Sequence, residues 1–165
     1  AQAVVGVVYV PCEGDELFCA ERDGGAFLNE RPLQMASPSK SLSASLVATG
    51  FAYYQGAALG PHVATLETVM NVATDVLRLG SAATDISYVA AGRLGAYYES
   101  GLKPWDVAAA ALIVQEAGGI VCETSGQALD LFARNGATFS LNVLAAKNAD
   151  IQRQMIDLLA TRYTI

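Results

Sequence analysis

Two acids seven residues apart, Glu99 and Asp106, and a small-residue turn at Gly80, Ser81 and Ala82 are the groups in this 165-residue chain best suited to chemistry. Asp106 stands in the first turn of a segment, residues 103–119, that reads as a helix. Pro104 fits the first helical position, residues 107–114 include no polar side chain, and Gly118-Gly119 supplies the stop. A helix this apolar is expected to be buried all round. A carboxylate carried into that setting is costly unless it is paired, hydrogen-bonded or bound to a metal. The plainer role open to Asp106 is to complement the helix dipole. Leu79-Gly80-Ser81-Ala82-Ala83 reads as a strand-to-helix turn, and its small side chains let an oxygen-rich or anionic group approach the backbone N–H groups of the helix start. Glu99 is expected to end a short strand. Two acids facing a helix N-terminus would make a polyol and metal pocket, and such hard oxygen ligands suit Mg²⁺ better than a transition metal.

The remaining polar candidates are weaker. Asp85 lies one turn into the helix opened by Ser81, where dipole complementarity is explanation enough. His62 is the only histidine, so a Ser/His/Asp or Cys/His mechanism has no support. Arg78 and Lys103 are expected to be solvated charges. Cys12, Cys19 and Cys122 are odd in number and lack CxxC spacing, which argues for a reducing, cytoplasmic compartment and against a zinc site. Cys12 and Cys19 read as buried small hydrophobes.

The elements that must position these groups alternate between strands and helices. A buried strand is expected at residues 4–10, then a hairpin return at 16–21, a turn at Asp23-Gly24-Gly25, and a further extended run to Leu33. A serine-rich connector leads to a strand at 46–51, a loop-like stretch at 53–60, and a helical stripe over 62–74. A strand at 75–80, the Ser81 helix closed by Gly92, a short strand at 96–99 and the Pro104 helix follow. Residues 120–123 and 140–146 read as strands, and Asn148 caps a last amphipathic helix. This is a single α/β (mixed α+β) layered domain over residues 1–165. With 53% hydrophobic and 16% charged residues, the chain has apolar surface to spare for a core and a partner interface. The net charge of −6 without a basic cluster argues against nucleic acid and anionic membranes as partners. No apolar run approaches the ~18 residues of a membrane span.

The runs Arg78-Leu79-Gly80-Ser81-Ala82-Ala83, Val89-Ala90-Ala91-Gly92-Arg93-Leu94, Tyr97-Tyr98-Glu99 and Trp105-Asp106-Val107-Ala108-Ala109 closely resemble the inositol monophosphatase family. So do Glu116-Ala117-Gly118-Gly119 and, upstream, Gly6-Val7-Val8-Tyr9 and Gly25-Ala26-Phe27-Leu28-Asn29. The resemblance implies a Mg²⁺-dependent phosphomonoesterase acting on inositol monophosphate or a similar polyol phosphate, and the carboxy-terminal part of an α-β-α-β-α sandwich. It implies that Asp106 is catalytic, ligating metal and touching substrate, that Gly80, Ser81 and Ala82 line the polyol side, and that Glu99 binds a substrate hydroxyl. The family's upstream glutamate and its Asp-Pro-x-Asp-Gly-Thr block have no match here, and Asp23-Gly24 lacks the flanking residues. The chain is therefore expected to be inactive alone and to need the missing amino-terminal half or a homo-oligomer partner, family members often being dimers. The alternative is a non-catalytic truncated relative acting as a protein-interaction module.

Overall fold

The computed structural model describes residues 3–35, 41–51, 59–132 and 134–160. Strands β1 (Val5–Val10), β2 (Glu16–Glu21), β3 (Gly25–Leu28) and β4 (Arg31–Leu33) form an antiparallel meander in sequence order. A second, five-stranded sheet runs β6-β5-β7-β11-β8, built from β5 (Leu46–Thr49), β6 (Asp75–Leu77), β7 (Ala96–Leu102), β8 (Ile120–Glu123) and β11 (Leu141–Ala146). Within it β5 runs parallel to β6 and β7, while β11 is antiparallel to β7 and β8. A two-stranded ribbon, β9 (Arg134–Asn135) and β10 (Thr138–Phe139), was not foreseen from the sequence.

Helices α2 (Ala82–Ala90) and α3 (Pro104–Glu116) lie between the two sheets, and α1 (Leu59–Met70) and α4 (Ala149–Ala160) cover the far face of the five-stranded one. The result is a layered sheet-helix-sheet-helix stack of the mixed α/β class. The inner core joins Phe18, Ile86, Tyr97, Leu112 and Ile113, and the outer core joins Val47, Tyr98, Leu144, Ile151 and Met155. Each fully buried Leu, Ile or Phe contributes roughly 1.5–3 kcal/mol relative to exposure. Among the described residues no helix is long and apolar enough to cross a membrane.

Several local expectations change. The first strand is half buried: Gly6, Val8 and Val10 face α3, while Val5, Val7 and Tyr9 point outward and are exposed. Gly6 lets the strand lie against α3, because a Cβ there would sit 2.6 Å from the Ala109 carbonyl oxygen. Cys12 is exposed, since its segment turns as a short 3₁₀ helix at the hairpin tip, and Cys19 is half buried. Helix α1 begins at Leu59, inside the stretch expected to be loop, and residues 52–58 lie outside the described residues, as do 36–40 of the serine-rich connector. Strand β6 stops at Leu77, leaving residues 78–81 as the turn into α2.

Glu99 does not end its strand. β7 runs on to Leu102 because an extra residue is accommodated opposite β11, where Leu141 pairs with Leu102 and Val143 with Glu99. Gly101 takes the positive φ of +81° within this bulge. The extra residue turns Leu102 to the same face as Tyr97 and Glu99 and delivers the chain directly into α3.

Candidate active site

Three parallel strands, β6, β5 and β7, end at the same edge of the five-stranded sheet. The helix after β5 lies on its outer face, whereas those after β6 and β7 lie on its inner face. Open α/β sheets bind ligands in such a crevice, outside the carboxyl ends of strands whose connections diverge. A cavity of about 310 Å³ occupies this position. Its wall includes Gly80, Ser81, Ala82, Glu99 and Asp106, so every site residue expected from the sequence is brought to one place.

At the start of α2, Ser81 is extended and serves as the N-cap, its Oγ accepting from Thr84 N at 3.4 Å and from Thr84 Oγ1 at 3.1 Å. Gly80 takes a φ of +92°, which brings bare backbone to the cavity ahead of the helix start. At the start of α3, Asp106 Oδ2 accepts from Lys103 N at 2.9 Å, and the Lys103 carbonyl accepts from Asp106 N at 3.0 Å. The capping and cavity-facing roles of Asp106 are therefore compatible: one carboxylate oxygen holds the helix end and Oδ1 has no hydrogen-bond donor among the described residues.

Glu99 and Tyr97 share the inner face of β7, and the Tyr97 hydroxyl donates to Glu99 Oε2. Gly50, one residue beyond the paired Thr49 and Tyr98, makes the room: a Cβ there would overlap the Glu99 carboxylate. Burial pushes the Glu99 carboxyl up from its ordinary range, and Asp106 adds to this. The Tyr97 hydrogen bond and the Arg78 charge pull it back down.

Arg78 is exposed, as expected of a solvated charge, yet stands on the cavity wall, and Lys103 is half buried. Arg78 lines the cavity with its guanidinium 5.5 Å from the centroid of the Phe51 ring, and Lys103 Nζ donates to the Phe139 carbonyl at 2.5 Å. Trp105, 73% exposed at the cavity rim, meets the edge of Phe139 with centroids 6.1 Å apart. Asp85 is 1% exposed and belongs to the cavity wall, which dipole complementarity does not explain. His62 is buried on α1 against the edge of Phe51, and burial pushes its pKa down. Gly50 and Tyr97 escape a site reading from the sequence, and Arg78 and Asp85 receive only plainer roles there. Gly50 follows an apolar strand, Tyr97 precedes an acid by two residues, and Arg78 and Asp85 flank the Gly80 turn; only the Tyr97–Glu99 spacing carried a usable strand-face signal.

As a cation site the donor set is incomplete. Asp106 offers a free hard oxygen suited to Mg²⁺, but no group of three or more His, Cys, Asp or Glu residues close enough to hold a metal exists among the described residues. By themselves these residues do not form a cage.

Comparison with known proteins fits this geometry. The model of the inositol monophosphatase family matches residues 1–157. The Nus factor SuhB of Haemophilus influenzae is 42% identical over 151 residues, which is 92% of this chain and 53% of that protein. The inositol-1-monophosphatase of Mesorhizobium japonicum is 43% identical over 125 residues, 76% of this chain and 46% of that protein. The solved structure of inositol monophosphatase from Anabaena (Nostoc) sp. superposes with a TM-score of 0.85 at 35% identity, over 98% of this chain and 60% of that one. The chain thus spans about half the length of the curated relatives it matches. Sequence and fold agree, and the chain belongs to the inositol monophosphatase family.

Proposed function

We propose that this chain supplies the polyol-binding side of a Mg²⁺-dependent phosphomonoesterase site acting on inositol monophosphate or a similar polyol phosphate. The observation that carries this reading is the convergence of Glu99, Asp106 and the backbone start of α2 on one cavity. Glu99, whose carboxyl burial pushes up while Tyr97 and Arg78 pull it part of the way back, accepts a hydrogen bond from a substrate hydroxyl. The small residues Gly80, Ser81 and Ala82 allow the sugar ring to approach backbone N–H groups at the helix start. Asp106, fixed through Oδ2, keeps Oδ1 for metal and substrate. A bound Mg²⁺ would lower the pKa of a water molecule and offset charge on the phosphoryl group.

The activity is proposed for the full-length protein. The Asp-Pro-x-Asp-Gly-Thr block of the family is unmatched in this chain, so a complete metal site needs acids beyond Asp106, and the 165-residue chain alone should not hydrolyse phosphate esters. A cytoplasmic, dimeric enzyme is the setting this reading favours. A second reading comes from the relatives named Nus factor, which points to a transcription-related protein contact. The net charge of −6 favours a protein partner over direct nucleic-acid binding in that case.

The test is phosphate release by the full-length protein with Mg²⁺, comparing inositol 1-phosphate with a hydroxyl-free aryl phosphate, in wild type and Glu99→Gln. The proposal expects wild type to prefer the polyol ester and Glu99→Gln to lose that preference. Absence of phosphatase activity, together with a stable complex with a transcription component, would favour the second reading instead.

A further inference from the structure

Asp85 is the one acid of the cavity wall to which neither the fold nor the proposed chemistry gives work. It sits in the first turn of α2, yet Ser81 already caps that helix and the Asp85 N–H is used by the Ser81 carbonyl at 2.9 Å. Its side chain is 1% exposed, and Oδ1 is sealed from bulk water without a hydrogen-bond partner among the described residues. Among the described residues no basic side chain pairs with it. A buried, unpartnered carboxyl destabilises a fold, and native structures supply such groups with water or ligand. The free space beside Asp85 is the cavity shared with Gly50, Glu99 and Asp106.

We propose that Asp85 is a further specificity-determining residue, a second carboxyl that hydrogen-bonds a polyol hydroxyl next to the one held by Glu99. The inference rests on the phosphatase reading of the cavity. Burial, reinforced by the Glu99 charge, pushes the Asp85 carboxyl up to about 7, so near neutral pH it can either donate to or accept from a hydroxyl. Arg78 on the rim serves Glu99 and leaves Asp85 without a counter-ion, a setting that suits neutral polyol hydroxyls and disfavours a second anionic group of the substrate.

The experiment uses full-length wild type, Asp85→Ala and Asp85→Asn, with kcat and KM measured on inositol 1-phosphate and on a hydroxyl-free aryl phosphate, and melting temperature recorded for each. Asp85→Ala is expected to raise KM for the inositol ester about tenfold, the loss of one hydrogen bond. KM for the aryl ester should stay within about twofold, and the melting temperature should hold or rise. Asp85→Asn, whose amide both donates and accepts, should recover most of the lost affinity. Equal effects on both esters, or a lowered melting temperature with unchanged KM, would make Asp85 a structural residue and overturn the proposal alone. A wild type that releases no phosphate would overturn the phosphatase reading and this inference with it.

Discussion

Adding one methyl group at Gly50 should damage the site while sparing the fold. A Cβ at that position overlaps the Glu99 carboxylate, which lies against the glycine and is held by the Tyr97 hydroxyl. The clash involves the far end of a flexible side chain, so the carboxylate can swing away. The stability cost is then about 1 kcal/mol, or roughly 2–4 °C in Tm for a chain of this size. In the proposed site Glu99 accepts a substrate hydroxyl, a hydrogen bond to a charged group worth about 1.5–3 kcal/mol. Losing it lowers kcat/KM by about 10- to 150-fold, since each 1.36 kcal/mol is a factor of ten. The assay is steady-state phosphate release by full-length Gly50→Ala, with inositol 1-phosphate and an aryl phosphate run side by side. The polyol ester should bear nearly all the loss. A variant with wild-type kcat/KM on the polyol ester would refute the placement of Glu99 in substrate binding.

Gly6→Ala offers the converse result. Its new methyl group meets the Ala109 backbone carbonyl, which cannot move aside, so stability should fall by about 1–3 kcal/mol in urea unfolding while both esters keep the same relative rates. The Asp85 carboxyl gives a signed pH effect. Its folded value of about 7 lies above its ordinary 3.8, so between these values the native state holds a proton that the unfolded chain has lost. Stability should therefore decline as pH rises through this window, by up to roughly 1.4 kcal/mol per pH unit, and unfolding midpoints of Asp85→Asn should be flatter between pH 5 and 8. Arg93→Ala removes the guanidinium that donates to both Glu16 oxygens and stacks 4.5 Å from the Tyr88 ring centroid. A loss of about 1–2 kcal/mol in urea unfolding is expected, with no change in KM.

Most elements could be read from the sequence because their signals were local. Pro104 and Gly118 bracket α3, Ser81 and Gly92 bracket α2, and Asn148 Oδ1 does accept from Ile151 N at the start of α4. Tertiary choices were less visible. The β1 run is apolar on both faces, so its composition hid the exposure of Val5, Val7 and Tyr9. The bulge at Gly101 depends on pairing with β11, some 40 residues further along, and that pairing decides that Leu102 joins Glu99 at the cavity. The site followed the same rule. Asp106 and the Gly80 turn stand at recognisable element ends and Glu99 in a readable strand. Gly50 and Asp85 matter only because β5 and α2 bring them to the cavity that also holds Glu99.

Phosphate release from inositol 1-phosphate by full-length Asp106→Asn, across a Mg²⁺ titration and beside wild type, puts the site to its most direct test. Asparagine keeps an oxygen for the Lys103 N–H, so α3 and the melting temperature should be preserved. Loss of the anionic oxygen should lower turnover at saturating Mg²⁺ by about 100-fold or more and shift the metal requirement upward. Wild-type turnover in that variant, or turnover indifferent to Mg²⁺ in both proteins, would contradict the assignment of Asp106 as the metal- and substrate-binding acid of this cavity.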